Sequence, residues 1–160
     1  MSAVSTKSSL ILSTNTKLVD ILRVRPTCAD MEVAWRHMKV LLVPSLWYEA
    51  WGIVVIEAHL RGIPVVSSNA GALPEAMLGL DYMIPVNPIA GERDEEGAYR
   101  VPEQNIGLWV ETIDKLMKDR SEYLKLSSRV RNTTELWLKN LDEMALHDWL
   151  LGLNGQCGRE

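Results

Sequence analysis

The stretch from Pro44 to Met77, PSLWYEAWGIVVIEAHLRGIPVVSSNAGALPEAM, brings amide donors and carboxylates together at one turn of the chain. Gly52 lets the backbone pass from a loop into the run IVVIEAHLR, a helix whose first N–H groups, from about Gly52 to Val54, have no partner within it. Free amides at the positive end of a helix dipole form an anion site of the kind that holds a diphosphate. Glu49 lies just before that turn and Glu57 lies within the helix. A carboxylate is a poor phosphate ligand but a good acceptor for sugar hydroxyls. The stretch therefore offers amides (Gly52, Ile53, Val54) for a diphosphate and carboxylates (Glu49, Glu57) for hydroxyls. Asn69-Ala70-Gly71 follows the next strand at the same edge, where Gly71 suits either a plain turn or the close approach of a ligand.

Each of these residues has a plainer reading. Glu49 alone would be a solvated loop residue and Glu57 a surface helix charge; their shared context favours function for both. His59, two positions after Glu57 on an apolar helix, reads as structural. His37 and His147 have no chemical partner nearby in sequence. Trp47 and Tyr48 read as loop packing ahead of sugar stacking, and the acidic run Glu92 to Glu96 as a solvated face.

The elements that position these groups follow from short apolar runs and their punctuation. Residues 18–24 (LVDILRV) predict a strand that ends at Arg25-Pro26, and Asp30 caps a helix to about Met38. Lys39 to Val43 is too short for a helix and predicts a buried strand. The helix after Gly52 stops at Gly62, then Ile63 to Ser67 predicts a further buried strand. Leu73 to Leu78 predicts a short helix and Tyr82 to Ile84 a last short strand. This alternation is that of a doubly wound, Rossmann-like parallel α/β sheet, which binds ligands at the carboxyl ends of its strands. The loop from Pro44 to Gly52 sits at such an end.

Beyond Pro85 the chain turns polar as far as Asn105, and the 86–105 loop reads as a lid, a binding loop or a disordered segment. Two C-terminal helices follow, over about 106–118 and 121–151. In the second, Leu126, Val130, Thr134, Trp137, Leu138, Leu141, Met144 and Ala145 form one apolar face, read as core. Residues 18–151 are expected to form one Rossmann-like domain, with 1–17 a lead-in and 152–160 a frayed tail.

Composition bounds the classes of function. With 160 residues, 47% of them hydrophobic, the chain suits one compact domain with a sizeable core. The net charge of −4 and the scattered Lys and Arg argue against a nucleic-acid partner. No run reaches the ~18 apolar residues of a transmembrane helix, and the N-terminus has no signal-peptide pattern. Cys28 and Cys157 form neither a paired nor a metal-like spacing, so a cytoplasmic location is expected.

The run from Lys39 to Ala76 resembles the donor-binding signature of the family-4 retaining glycosyltransferases, a Glu, seven residues, and a second Glu. Here these are Glu49 and Glu57, preceded by Pro44-Ser45 and followed by Gly62-Ile63-Pro64-Val65-Val66. Asn69 to Glu75 is similar to the family's Gly-rich turn and short helix, and looser similarity extends over about Val19 to Leu151. The resemblance implies the C-terminal, nucleotide-sugar-binding half of a two-domain GT-B enzyme. By position, Glu49 is expected to hold hydroxyls of the transferred sugar and Glu57 the ribose hydroxyls. The amides of Trp51 and Gly52 are expected near the sugar, and those of Ile53 and Val54 near the diphosphate. Pro26 and Thr27 are expected near the base, and Gly71 near the sugar. The family needs no metal or cofactor beyond the donor itself, and no Asp-x-Asp pattern is present.

Two departures shape the expectation. The chain has no room for the family's acceptor-binding domain, and Arg23 and Arg25 do not occupy the Lys/Arg segment that neutralises the leaving diphosphate. Ala50-Trp51 also stands where the family often has Gly-Phe. The resemblance thus implies donor binding, with transfer requiring an acceptor domain or a partner chain. The alternative is a non-catalytic nucleotide-sugar-binding or regulatory module. A nucleotide-sugar epimerase or dehydrogenase would require Gly-x-Gly-x-x-Gly and Tyr-x-x-x-Lys, both absent. A homo-oligomer is expected, through the apolar surface of the last helix or the residues before Val19.

Overall fold

A computed structural model describes residues 30–80, 82–142, 144, 145 and 148. The expected strand at 18–24, the base-side residues Pro26 and Thr27, the lead-in and the tail lie outside the described residues. In chain order the elements are α1 (Glu32–Trp35), β1 (Leu41–Val43), α2 (Ile53–Leu60), β2 (Val65–Ser68), α3 (Leu73–Ala76), β3 (Met83–Ile84), α4 (Ile106–Lys118) and α5 (Arg120–Lys139). The described strands form one parallel sheet in the order β1-β2-β3. Leu41 pairs with Val65 and Val43 with Ser67, while Ser67 pairs with Met83 and Ser68 with Ile84. This is the Rossmann-like α/β arrangement that the alternation of runs predicts.

The central strand is buried at all four positions, which is why it reads as an unbroken run rather than an alternating one. Helices cover it through one shared core. Val55 and Ala58 of α2, Val65 and Val66 of β2, and Leu73, Ala76 and Met77 are almost fully buried together. Trp109 and Leu116 of α4 and Leu126 and Val130 of α5 join the same cluster. Burying a side chain of the size of Val or Leu contributes about 1.5–3 kcal/mol, so this cluster opposes much of the chain's ordering cost.

α5 is the longest described helix, and it runs antiparallel to α2. Near its start Tyr123 Oη donates to Lys39 O at 2.8 Å, just before β1. One turn later Ser127 Oγ donates to Gly62 O at 2.6 Å, just before β2. Arg131 Nη2 reaches Arg61 O at 2.9 Å. At the far end Trp137 meets Trp51, at the start of α2. α5 thus spans the sheet from its amino edge to its carboxyl edge.

The structure corrects several boundaries. The last helix does not continue to Leu151: α5 ends at Lys139, with Asn140 as its C-cap. Asp142 Oδ1 then accepts the Met144 N–H at 2.9 Å and opens a new turn. Asn and Asp side chains compete with the helical backbone in this way. Its predicted apolar face divides accordingly. Leu126, Val130 and Thr134 are buried, whereas Leu138, Leu141 and Met144 are exposed. Between α4 and α5, Asp119 is extended, and its carboxylate accepts Ser121 N–H at 2.9 Å and Glu122 N–H at 3.0 Å. α1 is a single turn instead of a helix to Met38, although Asp30 Oδ1 does accept Glu32 N–H at 2.9 Å.

The 86–105 segment is an organised excursion. Asn87 and Gln104 close its base, with Asn87 N–H donating to Gln104 Oε1 at 3.0 Å and Gln104 Nε2 to Asn87 O at 2.8 Å. Arg93 and Tyr99 form an antiparallel bridge around a turn held by Asp94, whose Oδ1 accepts Ala98 N–H at 2.8 Å. The acidic run is therefore more than a solvated face. Asp94 builds the turn, and the Arg93 guanidinium lies 3.8 Å from the Tyr99 ring centroid.

Candidate functional site

At the carboxyl edge of the sheet, two loops meet. The first runs from Pro44 to Gly52, after β1, and the second from Asn69 to Ala72, after β2. Three contacts join them. Ser68 Oγ, fully buried, donates to Ser45 O at 2.7 Å and Val43 O at 3.3 Å. Ala72 N–H donates to Glu49 O at 2.9 Å. Gly71, at φ +60°, lies against the Glu49 backbone so closely that a Cβ would sit 2.5 Å from Glu49 O and 2.8 Å from the Tyr48 carbonyl carbon. That contact explains the glycine: it lets the second loop hold the backbone that carries Glu49. Asn69 ties the same edge to the third loop, its N–H donating to Ile84 O at 3.1 Å and its Oδ1 accepting Val86 N–H at 3.2 Å.

Gly52 is the N-cap of α2, left-handed at φ 76° and ψ 48°, with no side chain capping the helix. A Ser, Asp or Asn at this position would satisfy an amide itself; Gly leaves the first amides of α2 to another partner. Its own Cβ would stand 2.6 Å from Leu73 Cδ2, so the start of α2 also packs tightly on α3. Ile53 is 67% exposed and Val54 half-buried, so the first turn opens to solvent. Glu57 follows Ile53 by four residues and is exposed on that side of α2. Glu49 is half-buried. Among the described residues no ion pair or hydrogen bond engages either carboxylate, and the three ion pairs (Arg61–Glu32, Lys118–Asp114, Lys125–Glu122) lie elsewhere. Both are free to accept hydrogen bonds from a ligand.

The structure thus brings Glu49, Trp51, Gly52, Ile53, Val54 and Gly71 to one edge, with Glu57 one turn up α2. His59 is 1% exposed on α2, and burial lowers its pKa to about 4. It is a neutral core residue, as its place in the sequence suggests, and its Nδ1 has no hydrogen-bond partner among the described residues. Trp47 packs edge-on to Tyr99, with ring centroids 4.7 Å apart. Tyr48 does not pack; it is 75% exposed. Among the described residues no group of three His, Cys, Asp or Glu side chains is placed to hold a metal ion, and no helix is long and apolar enough to cross a membrane. A separate cleft of about 430 Å³, lined by Lys39, Leu116, Met117, Arg120, Tyr123 and Leu124, opens at the amino edge of the sheet, away from these loops.

Sequence reasoning passed over Ser68, Ala72, Leu73, Tyr99 and Trp137. A signal existed for Ser68, a hydroxyl closing an otherwise apolar strand. Trp137 lay in a helical stripe that reads as core, and nothing local ties Tyr99 to Trp47, 52 positions away.

Residues 14–134 match the family described as Glycosyl transferases group 1. A D-inositol 3-phosphate glycosyltransferase of Streptomyces bingchenggensis is 30% identical over 118 residues, 72% of this chain and 22% of that protein. Its namesake from Streptomyces scabiei is 37% identical over 62 residues, 38% of this chain and 14% of that protein. An uncharacterized 41.2 kDa protein in the cps region of Klebsiella pneumoniae is 50% identical over 38 residues, 24% of this chain and 10% of that protein. The matched stretch spans a fifth or less of most of these relatives' length. The family match covers most of the chain and includes both loops and α2, so the chain belongs to the glycosyl transferases group 1 family.

Proposed function

We propose that this chain forms the donor-binding part of a retaining glycosyltransferase and binds a nucleoside diphosphate sugar without a metal ion. One observation carries the reading. The uncapped amino end of α2 and the free carboxylate of Glu49 share a loop whose backbone is held in place by Gly71 and Ala72. The amides of Ile53 and Val54 would receive the diphosphate at the positive end of the helix dipole. Glu49 and the amides of Trp51 and Gly52 would hold the sugar, with Gly71 beside it. Glu57 would accept the ribose hydroxyls, and Pro26 and Thr27 would lie near the base.

In the full reaction the bond between the anomeric carbon and the diphosphate oxygen breaks, and a bond to an acceptor oxygen forms on the same face. The acceptor hydroxyl gives its proton to the departing diphosphate, which leaves with the electron pair of the broken bond. The charge that develops on the diphosphate is what helix amides stabilise. Acceptor binding would come from a further domain or a partner chain, so transfer by this chain alone is not expected. The exposed Leu138 in the last turn of α5, with Leu141 and Met144 beyond it, supports an interface there, with that partner or with a second copy.

Titration calorimetry with uridine, guanosine and adenosine diphosphates and their sugar conjugates tests the reading. Glu57→Ala should weaken nucleotide and nucleotide sugar alike, whereas Glu49→Ala should weaken only the sugar conjugate. A lost charge-assisted hydrogen bond is worth roughly 1.5–3 kcal/mol, so each loss should be about tenfold or more. A folded sample that gives no heat with any of these at millimolar concentration would refute the proposal.

A further inference from the structure

Glu49 stands midway between two aromatic residues of its own loop, and each is held by a ring from a distant part of the chain. Trp47, two positions before it, meets the Tyr99 ring edge-on at 4.7 Å, and Tyr99 in turn lies under the Arg93 guanidinium at 3.8 Å. Trp51, two positions after it, stacks on Trp137 of α5 at 6.0 Å with the ring planes 27° apart. We propose that Tyr99 and Trp137 are positioning residues that clamp the two ends of the Glu49 loop, and so fix where its carboxylate meets a sugar. This inference rests on the reading of Glu49 as the sugar-side carboxylate.

Two residues of extended chain span at most about 7 Å, so neither tryptophan can move far without moving Glu49. The backbone of Glu49 is pinned from below by Gly71 and by the Ala72 N–H. Those contacts hold its backbone against the second loop, and the two ring pairs add a hold on each flank.

Both clamps come from elements with independent support. Tyr99 belongs to the excursion closed by Asn87 and Gln104, which is also tied to the loop where Ile89 N–H donates to Leu46 O at 3.0 Å. Trp137 belongs to α5, whose buried Val130 and Thr134 anchor the helix one and two turns earlier. Neither aromatic residue lies in the stretch from Pro44 to Met77 that carries the site. An excursion and a helix end, both remote in sequence, thereby set the geometry of the sugar subsite, and the Trp47 pair does so from six residues before the start of α2 at Ile53.

The test uses the whole chain with Tyr99→Leu, Trp137→Leu and the double variant, alongside Tyr99→Phe and Trp137→Phe, which keep a ring. Hydrogen exchange of the amides from Leu46 to Gly52 is read first, without ligand. It should quicken by about threefold in each Leu variant and about tenfold in the double, and stay near wild type in the Phe variants. Affinity for uridine diphosphate, guanosine diphosphate, UDP-glucose and GDP-mannose is then measured. The sugar conjugates should weaken by about threefold in each single variant and about tenfold in the double, while the bare diphosphates stay within about twofold in Tyr99→Leu. Unchanged exchange in a folded double variant overturns the inference, as does equal weakening of diphosphates and conjugates in Tyr99→Leu. A wild type that binds none of the four refutes the donor-binding proposal instead, and the exchange data then decide the clamping alone. Tyr99 is exposed, so its substitution reads the clamp even should the Trp137 variant fail to fold.

Discussion

Gly71→Ala should be far more damaging than Gly79→Ala, although the two glycines have similar backbone conformations. Gly71 has φ +60° and Gly79 φ +73°, so an L-residue at either pays a left-handed penalty of about 1–2 kcal/mol. Nothing lies within 4 Å of a Cβ built on Gly79, and its substitution should cost no more than that. At Gly71 the Cβ would collide with the Glu49 amide and carbonyl and with the Tyr48 carbonyl carbon. These are backbone atoms that cannot rotate aside, so one loop must lift from the other. Lifting also breaks the hydrogen bond from Ala72 N–H to Glu49 O, 2.9 Å long, worth about 1 kcal/mol. With an overpacking cost of about 1–3 kcal/mol, the total for Gly71→Ala is roughly 3–6 kcal/mol. Urea unfolding at pH 7 measures both variants, and their difference cancels the shared left-handed term. An equal loss of stability in the two would refute the close-approach argument, and a Gly71→Ala variant that still binds a sugar nucleotide like wild type would detach that contact from the site.

The remaining expectations each need a single comparison. The unfolded-state pKa of His59 is near 6.5 and its folded value about 4, so the unfolded chain binds the extra proton as pH falls between them. Stability is therefore complete above about pH 6.5 and falls by about 3 kcal/mol by pH 4, and His59→Leu should flatten that part of the urea-unfolding profile relative to wild type. Ser68→Ala removes the bonds to Ser45 O and Val43 O and should cost about 1 kcal/mol in the same assay, with Ser68→Thr a partial rescue if the pocket admits the methyl. Asp119→Ala removes the cap of α5 and should lower stability by about 0.5–2 kcal/mol, with Asp119→Asn close to wild type.

Legibility followed distance along the chain. The sheet, α2 and the glycine at its start are written in runs of four to nine residues, where an apolar stretch bounded by Pro or Gly has few alternatives. Glu49, Gly52 and Glu57 stand within one such window, so their grouping is legible in the sequence. Boundaries were less so. Asn140 caps α5 through its backbone N–H and the Asp142 side chain bonds the Met144 N–H, yet the apolar spacing runs on past them and suggests a longer helix. The excursion after Pro85 misled in the opposite direction. Its acidic composition suggests solvation, while its order comes from Asn87 with Gln104 and from Tyr99 with Trp47, pairings set by tertiary structure. Gly71 lay between these cases. Its place after a strand allowed a turn or a close approach; the approach is real, but the atoms it meets belong to the Glu49 backbone.

That last distinction bears on how such a site is kept in shape. Of the three described ion pairs, those at Lys118–Asp114 and Lys125–Glu122 are well exposed, and such pairs are worth about 0–1 kcal/mol. The third, Arg61–Glu32, joins the C-cap of α2 to α1 at the opposite end of that helix from Gly52. None supports the loop of Glu49. The loop is held instead by a buried hydroxyl, by backbone touching backbone at Gly71, and by two ring pairs. This division has a physical reason. A cation placed to steady Glu49 would also occupy its carboxylate, and a carboxylate already paired gains little from a sugar hydroxyl. Supporting the loop through neutral contacts leaves the charge of Glu49 unspent, and the uncapped start of α2 leaves its amides unspent in the same way. On the donor-binding proposal, both subsites would then be held through backbone contacts and open in bonding, the combination that favours binding a polar ligand without first breaking a contact within the protein.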